Sequence, residues 1–105
     1  MEEIDENLLG EIELYLKDIM EHNEKVIDFG ETAIGNNGAK CIAAAITLCD
    51  YLEMMKLNSC SIKDDGAISL FEELTGSKTV VNLDMSGNPV TERCLDALAN
   101  MLQVN

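Results

Sequence analysis

Positive charge is what this chain has least of. Seven Lys and Arg stand against twenty Asp and Glu, a formal net charge of -13 over 105 residues. A field of that sign repels phosphate backbones and anionic lipid, so it predicts no nucleic-acid partner and favours basic protein partners or a crowded aqueous setting. There is one histidine, His22, and no CxxC pair among Cys41, Cys49, Cys60 and Cys94. No apolar run approaches the roughly 20 residues that span a bilayer, and the opening stretch MEEIDENLLG lacks the basic start of a secretory signal. The expected setting is therefore the cytoplasm or another reducing compartment, with free thiols rather than disulfides and no membrane insertion.

What the chain does have is apolar residues, 47% of the total, enough for one small domain with a core of its own. They recur with a period. Shifting the sequence by 28 superposes Ile27, Met55 and Leu83, then Phe29, Leu57 and Met85, then Ile34, Ile62 and Val90. Farther on, Ile42, Leu70 and Leu98 coincide, as do Ile46, Leu74 and Leu102, with no insertion or deletion across three copies. Thr32, Cys60 and Asn88 share one position; Gly38 and Gly66 share another, which Cys94 takes in the third copy.

Each copy has two halves of different periodicity. YLEMMKLNSCSI and VVNLDMSGNPV carry apolar residues two apart, at 55 and 57 or 83 and 85, which predicts a strand. DDGAISLFEELTG and TERCLDALANML carry them three and four apart, at 67, 70, 71 and 74 or 94, 95, 98 and 102, which predicts a helix. A unit of this size cannot bury its own apolar face, so the copies are expected to stack.

The stretches EKVIDFGETAI, YLEMMKLNSCSI and VVNLDMSGNPV resemble the leucine-rich repeat, L-x-x-L-x-L-x-x-N/C-x-L. The unit length and helical second half are similar to the ribonuclease-inhibitor-like class, also seen in Ran GTPase-activating proteins and in the tropomodulin C-terminal domain. The likeness covers about residues 24 to 103. The first copy departs most, with Glu24 where Leu52 and Val80 stand and Thr32 in the ladder, as suits a terminal unit. The resemblance implies an α/β fold, a short solenoid with a concave parallel sheet and convex helices. Its units are 24–51, 52–79 and 80–105, preceded by an acidic capping region, 1–23. Nine acidic residues fall in the first 24, against Lys17 alone on the basic side. Residues 8–22 place Leu9, Ile12, Leu16, Ile19 and Met20 on one stripe, with Asp5 or Asn7 as candidate cap and Gly10 aligned with Gly38. This helix is expected to cover the first unit, and docking of a partner is the alternative role.

On the resemblance, residues between the buried ones of each strand face a partner: Val26, Met54 and Asn82; Asp28, Lys56 and Asp84; Gly30, Asn58 and Ser86. The open side of the third unit, with Leu83, Met85, Leu95, Leu98 and Leu102, is a second candidate surface for a homo- or hetero-oligomer contact.

Catalytic and ligand-binding constellations are scarce. No serine or cysteine has a base placed near it by spacing. His22, beside Glu21 and Glu24, suits a helix C-terminus. The four cysteines belong to different layers, which does not suit zinc. Asp64 and Asp65 suit the start of a helix, and offer too few oxygens for calcium. Gly35, Gly38 and Lys40 lack Walker spacing. Asn88 and Pro89 read as turn-forming residues. The expectation is a noncatalytic protein-interaction module without cofactor, a small adaptor or assembly subunit. The alternative, from the likeness to Ran GTPase-activating proteins, is a regulator of a small GTPase in which Arg93 would assist catalysis.

Overall fold

The computed structural model of the chain describes residues 6–104, with side chains through residue 101. Asp5 and the Leu102 side chain, two elements of the sequence reading, lie outside the described residues.

The elements run α1 (Glu6–Glu21), β1 (Val26–Asp28), α2 (Gly35–Ile46), β2 (Met54–Lys56), α3 (Asp64–Leu74), β3 (Asn82–Asp84), a short 3-10 helix (Glu92–Cys94) and α4 (Leu95–Val104). The fold is α/β. The three strands form one parallel sheet in the order β1-β2-β3. Val26 pairs with Met54 and Met54 with Asn82, while Asp28 pairs with Lys56 and Lys56 with Asp84. The 28-residue spacing of the sequence is thus the strand register.

The core lies between sheet and helices. Ile27, Met55, Leu57, Ile34, Ile62, Ile42 and Leu70 are fully or almost fully buried, and Ile12, Leu16 and Ile19 of α1 join the same cluster. Along β1 and β2 burial alternates, as a pleated chain requires, whereas in β3 Leu83 and Asp84 are both half-buried. α1 covers the outer side of β1 by more than apolar contact. The Tyr15 hydroxyl accepts the Asp28 N–H at 3.0 Å, and its ring packs on Phe29 with centroids 4.6 Å apart. That backbone donor points away from the sheet and would otherwise depend on water.

Several expectations need correction. α1 already includes Glu6, so Asn7 lies within the helix rather than capping it. A side chain at Gly10 would meet no other atom within 4 Å, whereas one at Gly38 would run into the Ile34 Cβ at 2.6 Å, so the two glycines are not equivalent. Gly38 serves helix packing and Gly10 does not. The third helical half is broken into a 3-10 turn and α4. Val90, in the register of buried Ile34 (1%) and Ile62 (0%), is 38% exposed because, among the described residues, no element packs over the third unit.

Candidate protein-binding face

The alternation that buries Ile27 and Met55 against the helices, and half-buries Leu83, turns their neighbours to the opposite side of the sheet. Val26, Asp28, Asn82 and Ser86 are exposed there, while Met54, Lys56, Asn58 and Asp84 are half-buried by the side chains beside them. The structure aligns the first two expected columns residue for residue. At usual strand spacing the strip is about 10 Å wide.

Its electrostatics are mixed. Lys56 Nζ lies 3.8 Å from Asp28 Oδ2, and on the neighbouring row Lys25 Nζ lies 3.8 Å from Glu53 Oε2. Both pairs are exposed and add little stability. The Asp84 carboxylate accepts the Ser86 N–H at 3.0 Å and the Ser86 hydroxyl at 2.7 Å. These bonds, the hydroxyl first, hold its pKa below the ordinary carboxylate value, with Lys56 contributing. Asp28 accepts the Gly30 N–H at 2.9 Å in the same way. The two aspartates are therefore fixed acceptors on either side of one lysine, a surface that can meet a basic or mixed-charge partner.

The turns behind the strip are tied across units. Asn88 Oδ1 accepts the N–H groups of Cys60 at 2.9 Å and Ile62 at 3.1 Å, and its Nδ2 donates to the carbonyls of Leu57 at 2.7 Å and Met85 at 2.8 Å. Cys60, one unit earlier at the same position, donates its thiol to the Phe29 carbonyl at 3.0 Å. Burial pushes the Cys60 thiol pKa up, so the protonated donor persists. Another column works at the helix starts. Asn36 Oδ1 accepts the N–H groups of Lys63 at 2.8 Å and Gly66 at 3.0 Å, capping α3 from the preceding unit. Gly66 makes this approach possible, since a Cβ there would lie 2.7 Å from the Asn36 Oδ1. Asp64, the same position one unit on, accepts the Thr91 N–H at 2.8 Å and the Thr91 hydroxyl at 2.6 Å. Those two bonds, the hydroxyl first, lower its pKa. Asp64 was expected to cap its own helix; it holds the next unit instead, because Asn36 already occupies the start of α3.

The remaining candidates have structural partners. His22 Nδ1 lies 3.0 Å from the Asp18 carbonyl and 2.9 Å from its carboxylate, and the carbonyl, then the carboxylate, raise its pKa. Its nearest partner is thus one helical turn back, while Glu21 and Glu24 add smaller contributions in the same direction. Arg93 lies in the 3-10 turn with its guanidinium 3.4 Å from Asp65. All four cysteines are free, and Cys49, Cys60 and Cys94 are buried. Among the described residues no group of three or more His, Cys, Asp or Glu is placed to hold a metal, and no helix is long and apolar enough to cross a membrane.

The open side of the third unit is a trough of about 690 Å³, lined by Leu74, Val80, Leu83, Met85, Leu98 and Met101 among others. Val81 is 74% and Leu95 54% exposed at its edge. Sequence reasoning named Leu83, Met85, Leu95 and Leu98 here but not Val80, although Val80 shares its register with the fully buried Leu52.

Comparison with known proteins adds two partial similarities. Over 67 residues, 64% of this chain, it is 33% identical to NACHT, LRR and PYD domains-containing protein 13 of Homo sapiens. Over 64 residues, 61% of the chain, it is 31% identical to centrosomal protein of 78 kDa of Mus musculus. The matches span 6% and 8% of those proteins, a small fraction of each. No family model matches the chain. No solved structure matches it.

Proposed function

We propose that the chain is a noncatalytic protein-interaction module, a short leucine-rich-repeat stack of units 24–51, 52–79 and 80–105 behind an N-terminal capping region, acting in the cytoplasm as an adaptor or assembly subunit. The observation that carries this reading is the exposed face of the in-register sheet, where Val26, Met54 and Asn82 form one row and Asp28, Lys56 and Asp84 the next. The similarity over 64% of the chain to a protein whose name includes LRR supports the repeat part of the reading. Asn58 and Ser86 extend the binding strip toward the turns.

Site-specific photo-crosslinking tests it. A photoreactive residue at Met54 or Asn82 should trap a protein partner in cells, and the same residue at Lys40 or Leu48, exposed on and just beyond α2, should not. With the trapped protein purified, Lys56→Ala should weaken binding at least tenfold while leaving the thermal midpoint nearly unchanged. Cross-links confined to the helix side would overturn the assignment of the strip.

A further inference from the structure

The trough beside β3 is bounded by backbone and side-chain groups whose equivalents in the earlier units all bond to the unit that follows. Phe29 N–H donates to the Lys56 carbonyl at 2.9 Å and Leu57 N–H to the Asp84 carbonyl at 2.8 Å; Met85 is next in that series. Glu31 N–H donates to the Asn58 carbonyl and Ser59 N–H to the Ser86 carbonyl, both at 2.8 Å; Gly87 is next. The Lys25 carbonyl accepts from Glu53 and Met54, and the Glu53 carbonyl from Val81 and Asn82; the Val81 carbonyl is next. At the helix starts Asn36 and Asp64 accept from residues 63 and 91, and exposed Glu92 follows them. Among the described residues none of these third members has a partner of that kind.

We infer that this edge is a docking site for one further strand–turn–helix unit, running parallel to β3 in the same 28-residue register and packing its apolar side into the trough. The inference rests on the repeat reading and not on the binding strip. It continues an interface that the molecule already builds twice, from unit one to two and from two to three. A second copy of this chain cannot supply such a unit in parallel. Its own first strand is covered by α1, where Tyr15 takes the Asp28 N–H and Ile12, Leu16 and Ile19 are buried. Two copies would also bring together chains of net charge -13 each.

The test is to lengthen the full chain with a copy of residues 52–79, placed so that its leading leucine falls 28 positions after Val80. A second version carries a copy of residues 24–51 in the same register, and a control carries the first copy with Leu52→Asp, Met55→Asp and Leu57→Asp in the added segment. Amide hydrogen exchange is read at Met85 and Gly87. The inference expects at least tenfold slower exchange in an in-register version that stays monomeric, and no slowing in the aspartate control, because its added strand has no apolar side to pack into the trough. Equal slowing in the control, or no slowing in either in-register version, overturns it. So does protection of the original chain that rises with concentration as its mass doubles, since a second copy would then be the occupant. Loss of partner binding by the strip variants would bear on the proposed function alone.

Discussion

Replacing Asn88 with alanine removes five hydrogen bonds at once, from the N–H groups of Cys60 and Ile62 and to the carbonyls of Leu57, Met85 and, at 3.5 Å, Ser86. The three carbonyls keep a second lone pair to share, so the main loss falls on the two N–H groups. Cys60 and Ile62 are 0% exposed, and no other acceptor serves their amides among the described residues. A buried donor left unsatisfied costs about 1–3 kcal/mol. Asn88 is itself half-buried, so water entering the vacated space offsets part of that cost. The expected loss for Asn88→Ala is about 2–4 kcal/mol, a large share of the roughly 5–15 kcal/mol that stabilises an ordinary domain. Urea denaturation followed by circular dichroism measures it, and amide exchange at residues 60 and 62 locates it. Asn88→Cys places at this position the residue that serves one unit earlier, and should recover part of the loss through a thiol donated to the Leu57 carbonyl. Asn88→Asp keeps the acceptor but brings a charge against two carbonyl oxygens, and should be no better than alanine. A change under about 0.5 kcal/mol for Asn88→Ala, the usual range of an unremarkable surface substitution, with unchanged exchange at Cys60 and Ile62, would refute the reasoning.

Leu57→Ala should cost about 2–5 kcal/mol by emptying the middle of the core, while Lys56→Ala stays within about 0.5 kcal/mol; equal losses in thermal melts would mean that the strand faces are reversed. Gly87, at φ +74°, shares its column with Glu31 and Ser59, which adopt φ 65° and 53°. A side chain at 87 would also meet the Ser59 Oγ at 2.5 Å, so Gly87→Ala should cost about 1–2 kcal/mol or more; an unchanged urea midpoint would contradict that. The lowered pKa of Asp64 means that its ionised form is favoured in the folded state. Its contribution is therefore present above the ordinary carboxylate pKa and is lost as pH falls through that value toward the lowered one. Asp64→Asn should flatten that part of the acid limb in a pH series of melting temperatures, and an unaltered limb would rule out the linkage.

The strand register was legible because side-chain facing in a strand has a strict period of two, and three copies without insertions leave one way to superpose them. Met55 and Leu57 were placed in the core on that ground, and Ile62 and Leu70 by the superposition of the copies together with the helical spacing of three and four. The hydrogen-bond partners were not legible. Asn88 bonds amides 26 and 28 residues back, and Asp64 bonds Thr91, 27 residues on. Such pairings depend on the offset between stacked units, which periodicity within one unit does not encode. Tyr15 was missed for a similar reason: its functional atom is a hydroxyl acting as acceptor for a strand edge, so a count of apolar residues on α1 undervalues it. Val90 had the right register and the wrong exposure, because burial of a position in that register depends on what stands beside it. The alignment of the sheet face was readable; the role of that face in binding is a matter for the cross-linking experiment.

The side-chain hydrogen bonds from one unit to the next gather on one side of the molecule, at the strand-to-helix turns. At the other ends of the strands the units are joined by backbone bonds from residues 53 and 54 to Lys25 and from residues 81 and 82 to Glu53. The return segments from helix to strand, residues 47–51 and 75–79, are held by short-range contacts instead. Leu48 and Cys49 donate to Ala45 and Ile46, and Thr75, Gly76 and Ser77 donate to Phe71, Glu73 and Leu74. Extra residues inserted there displace no bond between units, and the entropic cost of a longer loop grows only slowly with its length. The molecule thus has a rigid rim and a forgiving rim. Tags, fluorophores or loops of foreign sequence belong on the second, and length variation in related chains should gather there too.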